Sequence, residues 1–122
     1  MKTVLVVDDT PALLSLVTTL VKMAKHVPLE ATCGEEALEV AARTPEMSAL
    51  ITDIRMPGMS GFDLARDLRK SRPNLPILFI SGYFDSAEQD HMQWVREPNV
   101  AFLPKPFPPA SLLQHLNSLL LV

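Results

Sequence analysis

Acidic, hydroxyl and amine side chains recur at the ends of the apolar stretches of this chain. Asp8 and Asp9 follow the first such stretch, and Asp53 follows the third. Ser81 follows the fourth, and Lys105 comes shortly after the fifth. Carboxylates gathered at one place repel one another, so a site that holds three of them needs a cation. Mg2+ suits this role, because it favours a few carboxylates completed by water and phosphate oxygens.

Each of these residues also has an ordinary structural explanation. Asp8 and Asp9 could stabilise the first turn of a helix, and Asp53 could belong to a turn. Ser81 could begin another turn, and Lys105 could be a solvated side chain between two prolines. Taken singly, the residues are unspecific. Their joint appearance at the strand ends of one predicted sheet is what favours a shared site.

The elements that would position these residues alternate regularly along the chain. Short runs of β-branched and aliphatic residues predict strands, and apolar residues at helical spacing predict the helices between them. The predicted strands are Thr3–Val7, Leu29–Cys33, Ala49–Thr52, Pro76–Ile80 and Val100–Leu103. Five strands and five helices in alternation indicate a parallel sheet that is covered by helices on both faces.

Individual residues predict parts of the first, fourth and last helices, of which the fourth is only weakly amphipathic. Thr10 is predicted to cap the first helix, with Pro11 as its first residue. Its inner face is predicted to be Leu13, Leu16, Val17, Leu20 and Ala24. The fourth helix is predicted over Asp85–Arg96, where Trp94 could either anchor a partner or complete the core. The last helix is marked by leucines at helical spacing.

The second strand alternates apolar and polar residues, as an edge strand does, whereas the other four are continuous apolar runs. The strand order 2-1-3-4-5 places the second strand at an edge of the sheet. This is the order of the flavodoxin-like, doubly wound α/β fold. In such sheets, ligands bind beyond the carboxyl ends of the strands. The chain has 122 residues, so residues 1–122 are predicted to form a single domain.

Composition narrows the class of protein. The formal net charge is -3 and no run of Lys or Arg is present, which argues against binding to nucleic acid. A single cysteine excludes an internal disulfide, and no apolar run reaches the roughly 18 residues needed to span a bilayer. We therefore expect a cytoplasmic protein.

Four stretches together resemble the receiver domains of bacterial response regulators and hybrid sensor kinases. They are Val6–Asp9, Ile51–Gly61, Ile80–Tyr83 and Phe102–Phe107. The resemblance covers the whole chain. It implies that Asp53 accepts a phosphoryl group from a phosphohistidine, which a histidine kinase or a histidine phosphotransfer protein would carry. It leaves open whether the receiver stands alone or belongs to a hybrid kinase.

The resemblance also implies roles for the neighbouring residues. Asp9, Asp53 and the backbone carbonyl of Arg55 would bind Mg2+ directly, and Asp8 would act mostly through water. Ser81 would bond to the phosphoryl oxygens, and Lys105 would pair with them. In similar domains the peptide bond between Lys105 and the proline that follows is cis.

Two residues would report phosphorylation in a domain of this kind. Ser81 would move toward the phosphoryl group, and Phe102 would rotate into the space behind it. The face formed by helix 4, strand 5 and helix 5 would carry the output, and it could also form a homodimer. The domain would not be an enzyme, although it would assist its own phosphorylation and dephosphorylation.

Two other functions fit parts of the pattern. The first is a degenerate receiver that docks partners without being phosphorylated, against which the retention of all five site residues argues. The second is a phosphohydrolase with an aspartyl nucleophile. Such enzymes usually place a second aspartate two residues after the nucleophile, where this chain has Arg55.

Overall fold

The computed structural model describes residues 1–82 and 89–120, except for the side chains of residues 89–91. The strands are β1 Thr3–Val7, β2 Val27–Ala31, β3 Met47–Asp53, β4 Ile77–Ser81 and β5 Val100–Pro104. The helices are α1 Pro11–Met23, α2 Gly34–Ala42, α3 Gly61–Ser71, α4 Gln89–Trp94 and α5 Pro109–Leu120. The alternation of strands and helices follows the predicted order.

The five strands form one parallel sheet in the order β2-β1-β3-β4-β5, which confirms the predicted flavodoxin-like fold. Its register aligns the strand ends at one edge. Asp53 lies opposite Ile80, and Ser81 lies opposite Pro104. The side chains that follow β1, β3, β4 and β5 therefore share the carboxyl edge of the sheet.

The two faces of the sheet are packed differently. Helices α1 and α5 cover one face with aliphatic side chains. The other face, under α2, α3 and α4, contains the ring cluster, which we define as Phe62, Phe79, Trp94 and Phe102. None of the helices in the described part of the chain is long and apolar enough to cross a membrane.

The predicted bounds of the second strand were wrong by two residues. Leu29–Cys33 was expected, but β2 is Val27–Ala31 and Cys33 is the N-cap of α2. The reason is the pairing with β1, which begins with Thr3 opposite Val27. The partner strand determines this register, so the register cannot be predicted from the local alternation of apolar and polar residues.

The predicted inner face of α1 was correct in part, since Val17 and Leu20 are buried and Ala24 packs against the core. Leu16 is 42% exposed and Leu13 is half-buried, whereas Leu14 and Val21 are buried. Apolar residues lie around most of this helix, so more than one stripe fits helical spacing. Thr10 is the N-cap and Pro11 the first residue, as predicted, but the Thr10 side chain makes no capping hydrogen bond.

Helix α4 ends at Trp94, two residues before the predicted end at Arg96. The residue predicted to begin this helix, Asp85, lies outside the described residues. So does Tyr83, the last residue of the stretch Ile80–Tyr83 that resembles receiver domains. Trp94 is only 7% exposed and packs edge-on against Phe79 at 5.4 Å between ring centroids. Of the two interpretations of Trp94, the structure supports the core residue.

Candidate functional site

Three carboxylates meet at the carboxyl edge of the sheet. Asp8 and Asp9 come directly after β1, and Asp53 is the last residue of β3. One carboxylate oxygen from each of the three lies within 4.8 Å of the others. Asp8 and Asp53 are buried, at 1% and 4% exposure, whereas Asp9 is exposed. The acidic cluster predicted from the sequence is therefore formed, with one member open to solvent.

The Asp8 carboxylate is held on one side only. Its Oδ1 accepts a hydrogen bond of 2.9 Å from the backbone N–H of Thr10, at the beginning of α1. Its Oδ2 is buried and has no hydrogen-bond partner among the described residues. A buried carboxylate oxygen without a donor costs free energy unless a cation binds it. The donor set, which consists of oxygens only, suits a hard divalent cation such as Mg2+.

Two donors among the described residues hold the Asp53 carboxylate. The backbone N–H of Ile54 donates to its Oδ1 at 2.9 Å, and Nζ of Lys105 donates to the same oxygen at 3.1 Å. The backbone carbonyl of Asp53 accepts a hydrogen bond of 2.8 Å from the buried hydroxyl of Thr52. The side chain and the main chain of Asp53 are thus both fixed.

Burial raises the pKa of Asp53, and the hydrogen bond and charge of Lys105 partly oppose this effect. Burial also raises the pKa of Asp8, where the N–H of Thr10 lowers it and the charge of Asp53 raises it further. Without a cation, the cluster therefore resists full ionisation. A bound cation would favour the charged forms of both carboxylates.

Strand β5 brings Lys105 to the acidic cluster. The backbone N–H of Lys105 donates to the carbonyl of Ser81 at 2.8 Å, so the segment after β5 is attached to the end of β4. Ser81 is buried at the end of that strand. The peptide bond between Lys105 and Pro106 is cis, which confirms the expectation from the resemblance.

Phe102 lies in the ring cluster, three residues before Lys105. It is partly buried, and its ring stacks on Phe79 at 5.1 Å between centroids. Phe62 lies 6.5 Å from Phe102 and 5.0 Å from Phe79. The ring cluster thus connects Phe102 to α3 and, through Phe79, to Trp94 of α4.

The structure brings most of the predicted site residues to one edge. Asp8, Asp9 and Asp53 each bring a carboxylate oxygen within 4.8 Å of the others, and Lys105 contacts Asp53. The carbonyl of Ser81 accepts a hydrogen bond from the backbone of Lys105. Arg55 follows β3 with an exposed side chain, and the role of its carbonyl as a ligand stays a prediction.

Thr52 was missed as a contributor to the site. Its hydroxyl bonds to the backbone of Asp53. The available signal was that Thr52 is the one polar residue of the predicted strand Ala49–Thr52.

A family model for the response regulator receiver domain matches residues 4–117. The chain belongs to the response regulator receiver family. Receivers act in two-component signalling, where they work in general with histidine kinases or phosphotransfer proteins, and this chain is such a receiver domain.

Known proteins similar to this receiver differ in their overall build. The sensor kinase CckA of Brucella abortus is 34% identical over 86% of this chain and 11% of that protein. The probable transcriptional regulatory protein TcrX of Mycobacterium tuberculosis is 30% identical over 97% of this chain and 49% of that protein. The receiver therefore spans half or less of the length of these relatives.

A solved structure of the chemotaxis protein CheY4 of Vibrio cholerae is similar over nearly the whole receiver. It has a TM-score of 0.86 at 28% identity, and covers 98% of this chain and 99% of that one.

Proposed function

We propose that this receiver accepts a phosphoryl group on Asp53 in a Mg2+-dependent reaction. The observation that carries the proposal is the contact of 3.1 Å between Nζ of Lys105 and Oδ1 of Asp53, inside a cluster of three carboxylates. The phosphoryl donor is the phosphohistidine of a histidine kinase or of a histidine phosphotransfer protein. Residues 1–122 would form one receiver domain, which the family match over residues 4–117 supports.

Asp53 is the nucleophile in this reaction. A carboxylate oxygen of Asp53 forms a bond to phosphorus as the bond between phosphorus and the donor imidazole nitrogen breaks. The imidazole leaves with the electron pair of that bond. Ile54 and Lys105 hold Oδ1, so the carboxylate meets the donor in one orientation, and orientation of this kind removes much of an entropic barrier.

The acidic cluster would hold Mg2+ through Asp9, Asp53 and the carbonyl of Arg55, with Asp8 acting through water. The Oδ2 of Asp8, which is buried and has no partner among the described residues, supports a cation with its bound water at this place. A bound Mg2+ would supply positive charge to the oxygens of the transferring phosphoryl group. Lys105 adds a second positive charge from the β5 side.

After transfer, the phosphoryl group brings nearly two negative charges and three acceptor oxygens to Asp53. Lys105 exchanges its bond to the carboxylate for a bond to a phosphoryl oxygen. The Ser81 hydroxyl, at the end of β4, bonds to another of these oxygens. Both contacts exist only in the phosphorylated protein, so they favour the conformation in which they form best.

Phe102 transmits this change. Its ring stacks on Phe79 at 5.1 Å between centroids, which supports a coupling of β5 to the ring cluster. Movement of Ser81 and Lys105 changes the space beside the Phe102 ring. The equilibrium between the positions of this ring therefore shifts. The altered face consists of α4, β5 and α5, where a downstream protein or a second copy would bind.

The donor protein must contact the rim of the site. An apolar groove lies beside Lys105 and is lined by Leu13, Leu16, Pro106 and Phe107. Leu16, at 42% exposure, presents an apolar surface at the outside of α1. A helix that carries a histidine could bury its apolar face in this groove and bring its phosphoryl group to Asp53.

The two rival functions find no specific support in the site. A receiver that only docks partners would not need Lys105 in contact with a buried Asp53. A phosphohydrolase would need an acid two residues after its nucleophile, and the exposed Arg55 stands there.

The proposal is tested by incubating the purified protein with acetyl phosphate and Mg2+ and measuring its intact mass. We expect an increase by one phosphoryl group, which disappears when EDTA removes the metal. A folded protein that gained no mass from acetyl phosphate or from any phosphohistidine donor would support the docking module instead.

A further inference from the structure

Helix α3 begins against the backbone of Asp53. The N–H of Gly61, its first residue, donates to the carbonyl of Ile54 at 2.8 Å. A β-carbon added to Gly61 would overlap the carbonyl oxygen of Asp53. It would also lie 3.0 Å from the Asp53 carbonyl carbon and from Cα of Ile54. Any larger residue at position 61 therefore requires either the helix or the Asp53 backbone to move.

The start of the helix is also held in place. Ser60 and Asp63 form a capping box, in which the N–H of Asp63 donates to the Ser60 hydroxyl at 3.1 Å. The N–H of Ser60 in turn donates to the Asp63 carboxylate at 3.4 Å. Phe62, which follows Gly61, is fully buried among the rings. Because the helix start is held, a methyl group at position 61 would press on the peptide of Asp53.

That peptide controls the carboxylate. The carbonyl of Asp53 and the N–H of Ile54 belong to one planar peptide unit, so they turn together. The carbonyl abuts Gly61 and accepts the Thr52 hydroxyl at 2.8 Å, and the N–H donates to Oδ1 of Asp53 at 2.9 Å. A push on the carbonyl oxygen therefore moves the donor that orients the Asp53 carboxylate.

We propose that Gly61 is a positioning residue for the phosphoryl acceptor. Its lack of a side chain lets α3 lie directly on the Asp53–Ile54 peptide, and this contact sets the direction of the carboxylate. The inference rests on the proposed function of Asp53. It assigns to Gly61 a role in the reaction that is separate from its place in the helix.

Gly34 is a matched control, because it too is the first residue of a helix, α2. A β-carbon on Gly34 would meet the side chain of Met59 at 2.7–2.9 Å and no backbone atom of the acceptor. The change from Gly to Ala is chemically the same at both positions. The two variants thus separate an effect on the acceptor peptide from a general effect of crowding at a helix start.

The experiment compares Gly61→Ala with Gly34→Ala in three measurements. Melting temperature reports folding, the NMR shift of the Ile54 amide during Mg2+ titration gives the metal affinity, and acetyl phosphate gives the rate of phosphorylation. We expect Gly61→Ala to lose about tenfold or more in Mg2+ affinity and in rate, as when a residue that orients a ligand is changed. Gly34→Ala should stay within about twofold of the natural protein in both.

Equal losses in the two variants would overturn the proposal, whatever their melting temperatures. If Gly61→Ala does not fold, Thr52→Val provides the test, because it releases the same carbonyl oxygen without adding a clash. A Thr52→Val protein with unchanged Mg2+ affinity and rate would then overturn it. Failure of the natural protein to be labelled at Asp53 would instead contradict the proposed function.

Discussion

Two cationic side chains tie β5 to its surroundings, one at each end of the strand. At the carboxyl end, Lys105 contacts the carboxylate of Asp53 at 3.1 Å. At the amino end, the guanidinium of Arg69 donates to the carbonyls of Leu75 and Pro98, at 2.7 Å and 2.9 Å from Nη2. These carbonyls precede β4 and β5, so Arg69 joins α3 to both strands.

The two cations differ in what they bind. Lys105 has a carboxylate partner that the proposed phosphorylation would change, and its side chain is 31% exposed. Arg69 binds backbone carbonyls, which no modification alters, and forms a longer ion pair of 3.9 Å with Glu97. Its side chain is 11% exposed and lies 5.3 Å from the ring centroid of Trp94. We therefore expect β5 to be anchored at its amino end and to respond to phosphorylation at its carboxyl end. Each of the following predictions tests one side of this difference.

Loss of the Asp53 carboxylate, the partner of Lys105, should have the largest effect. Asp53→Asn keeps the shape of the side chain but removes the charged nucleophile, so we expect no labelling by acetyl phosphate and an intact fold. Intact mass and circular dichroism measure the two results. Asp67→Asn, on the outside of α3, is the control and should be labelled normally. Labelling of Asp53→Asn at the level of the natural protein would refute the assignment.

Loss of the fixed anchor should affect stability and leave the site unchanged. Arg69→Met removes the donors to two backbone carbonyls, so we expect a loss of about 2–3 kcal/mol in the free energy of unfolding. Arg66→Met, one turn earlier on the same helix, removes a largely exposed side chain and should cost under about 1 kcal/mol. Urea unfolding measures both values. Equal values for the two variants would show that Arg69 is not an anchor.

Mg2+ should stabilise the protein in a pH-dependent manner. Because the pKa values of Asp8 and Asp53 are raised by folding, the metal-free folded state loses stability as pH rises through those raised values. Mg2+ binds the ionised carboxylates, so its stabilising effect is full above the raised pKa values. It disappears as pH falls through them toward about 4, the pKa of an exposed aspartate.

Thermal melting with and without Mg2+, at about pH 7 and about pH 4, checks this dependence. An equal rise in melting temperature at both pH values would contradict it. Asp9→Ala serves as the control, since it should lose most of the Mg2+ effect at the higher pH.

The smallest effect is expected when the contact between Lys105 and Asp53 is removed and phosphorylation of Asp53 remains possible. Lys105→Ala should still be phosphorylated, at a reduced rate, because the metal supplies most of the positive charge. Its response to beryllofluoride should be smaller, because one contact specific to the active state is missing. The measurement is the NMR shift change of Phe102 and Trp94 on saturation with beryllofluoride. Equal shift changes in Lys105→Ala and the natural protein would show that Lys105 does not carry the coupling.

The position of the responsive end could be predicted from the sequence. Asp8, Asp53, Ser81 and Lys105 each stand at or just beyond a strand end, and parallel strands place such ends along one edge. Local sequence patterns suffice for this result, because the end of each strand can be recognised without knowing which other strand pairs with it. The cis peptide after Lys105 followed from family resemblance and not from any physical pattern.

The fixed end could not be predicted in this way. Arg69 looks like an exposed helix residue in the sequence, and only the packing of α3 beside Leu75 and Pro98 buries it. The role of Gly61 likewise depends on how closely α3 approaches Asp53. The same limit explains the shifted bounds of β2, which depend on pairing with β1. Contacts between distant segments decide these features, and spacing along the chain does not record them.

The most direct test of the account is to locate the phosphoryl group. Protein phosphorylated in the presence of Mg2+ would be reduced with borohydride, which converts an aspartyl phosphate to homoserine, and then mapped by peptide mass spectrometry. We predict conversion at Asp53 alone, and none when EDTA is present. Conversion at Asp8 or Asp9, or labelling that persists without metal, would contradict the claim that Asp53 is the metal-dependent phosphoryl acceptor.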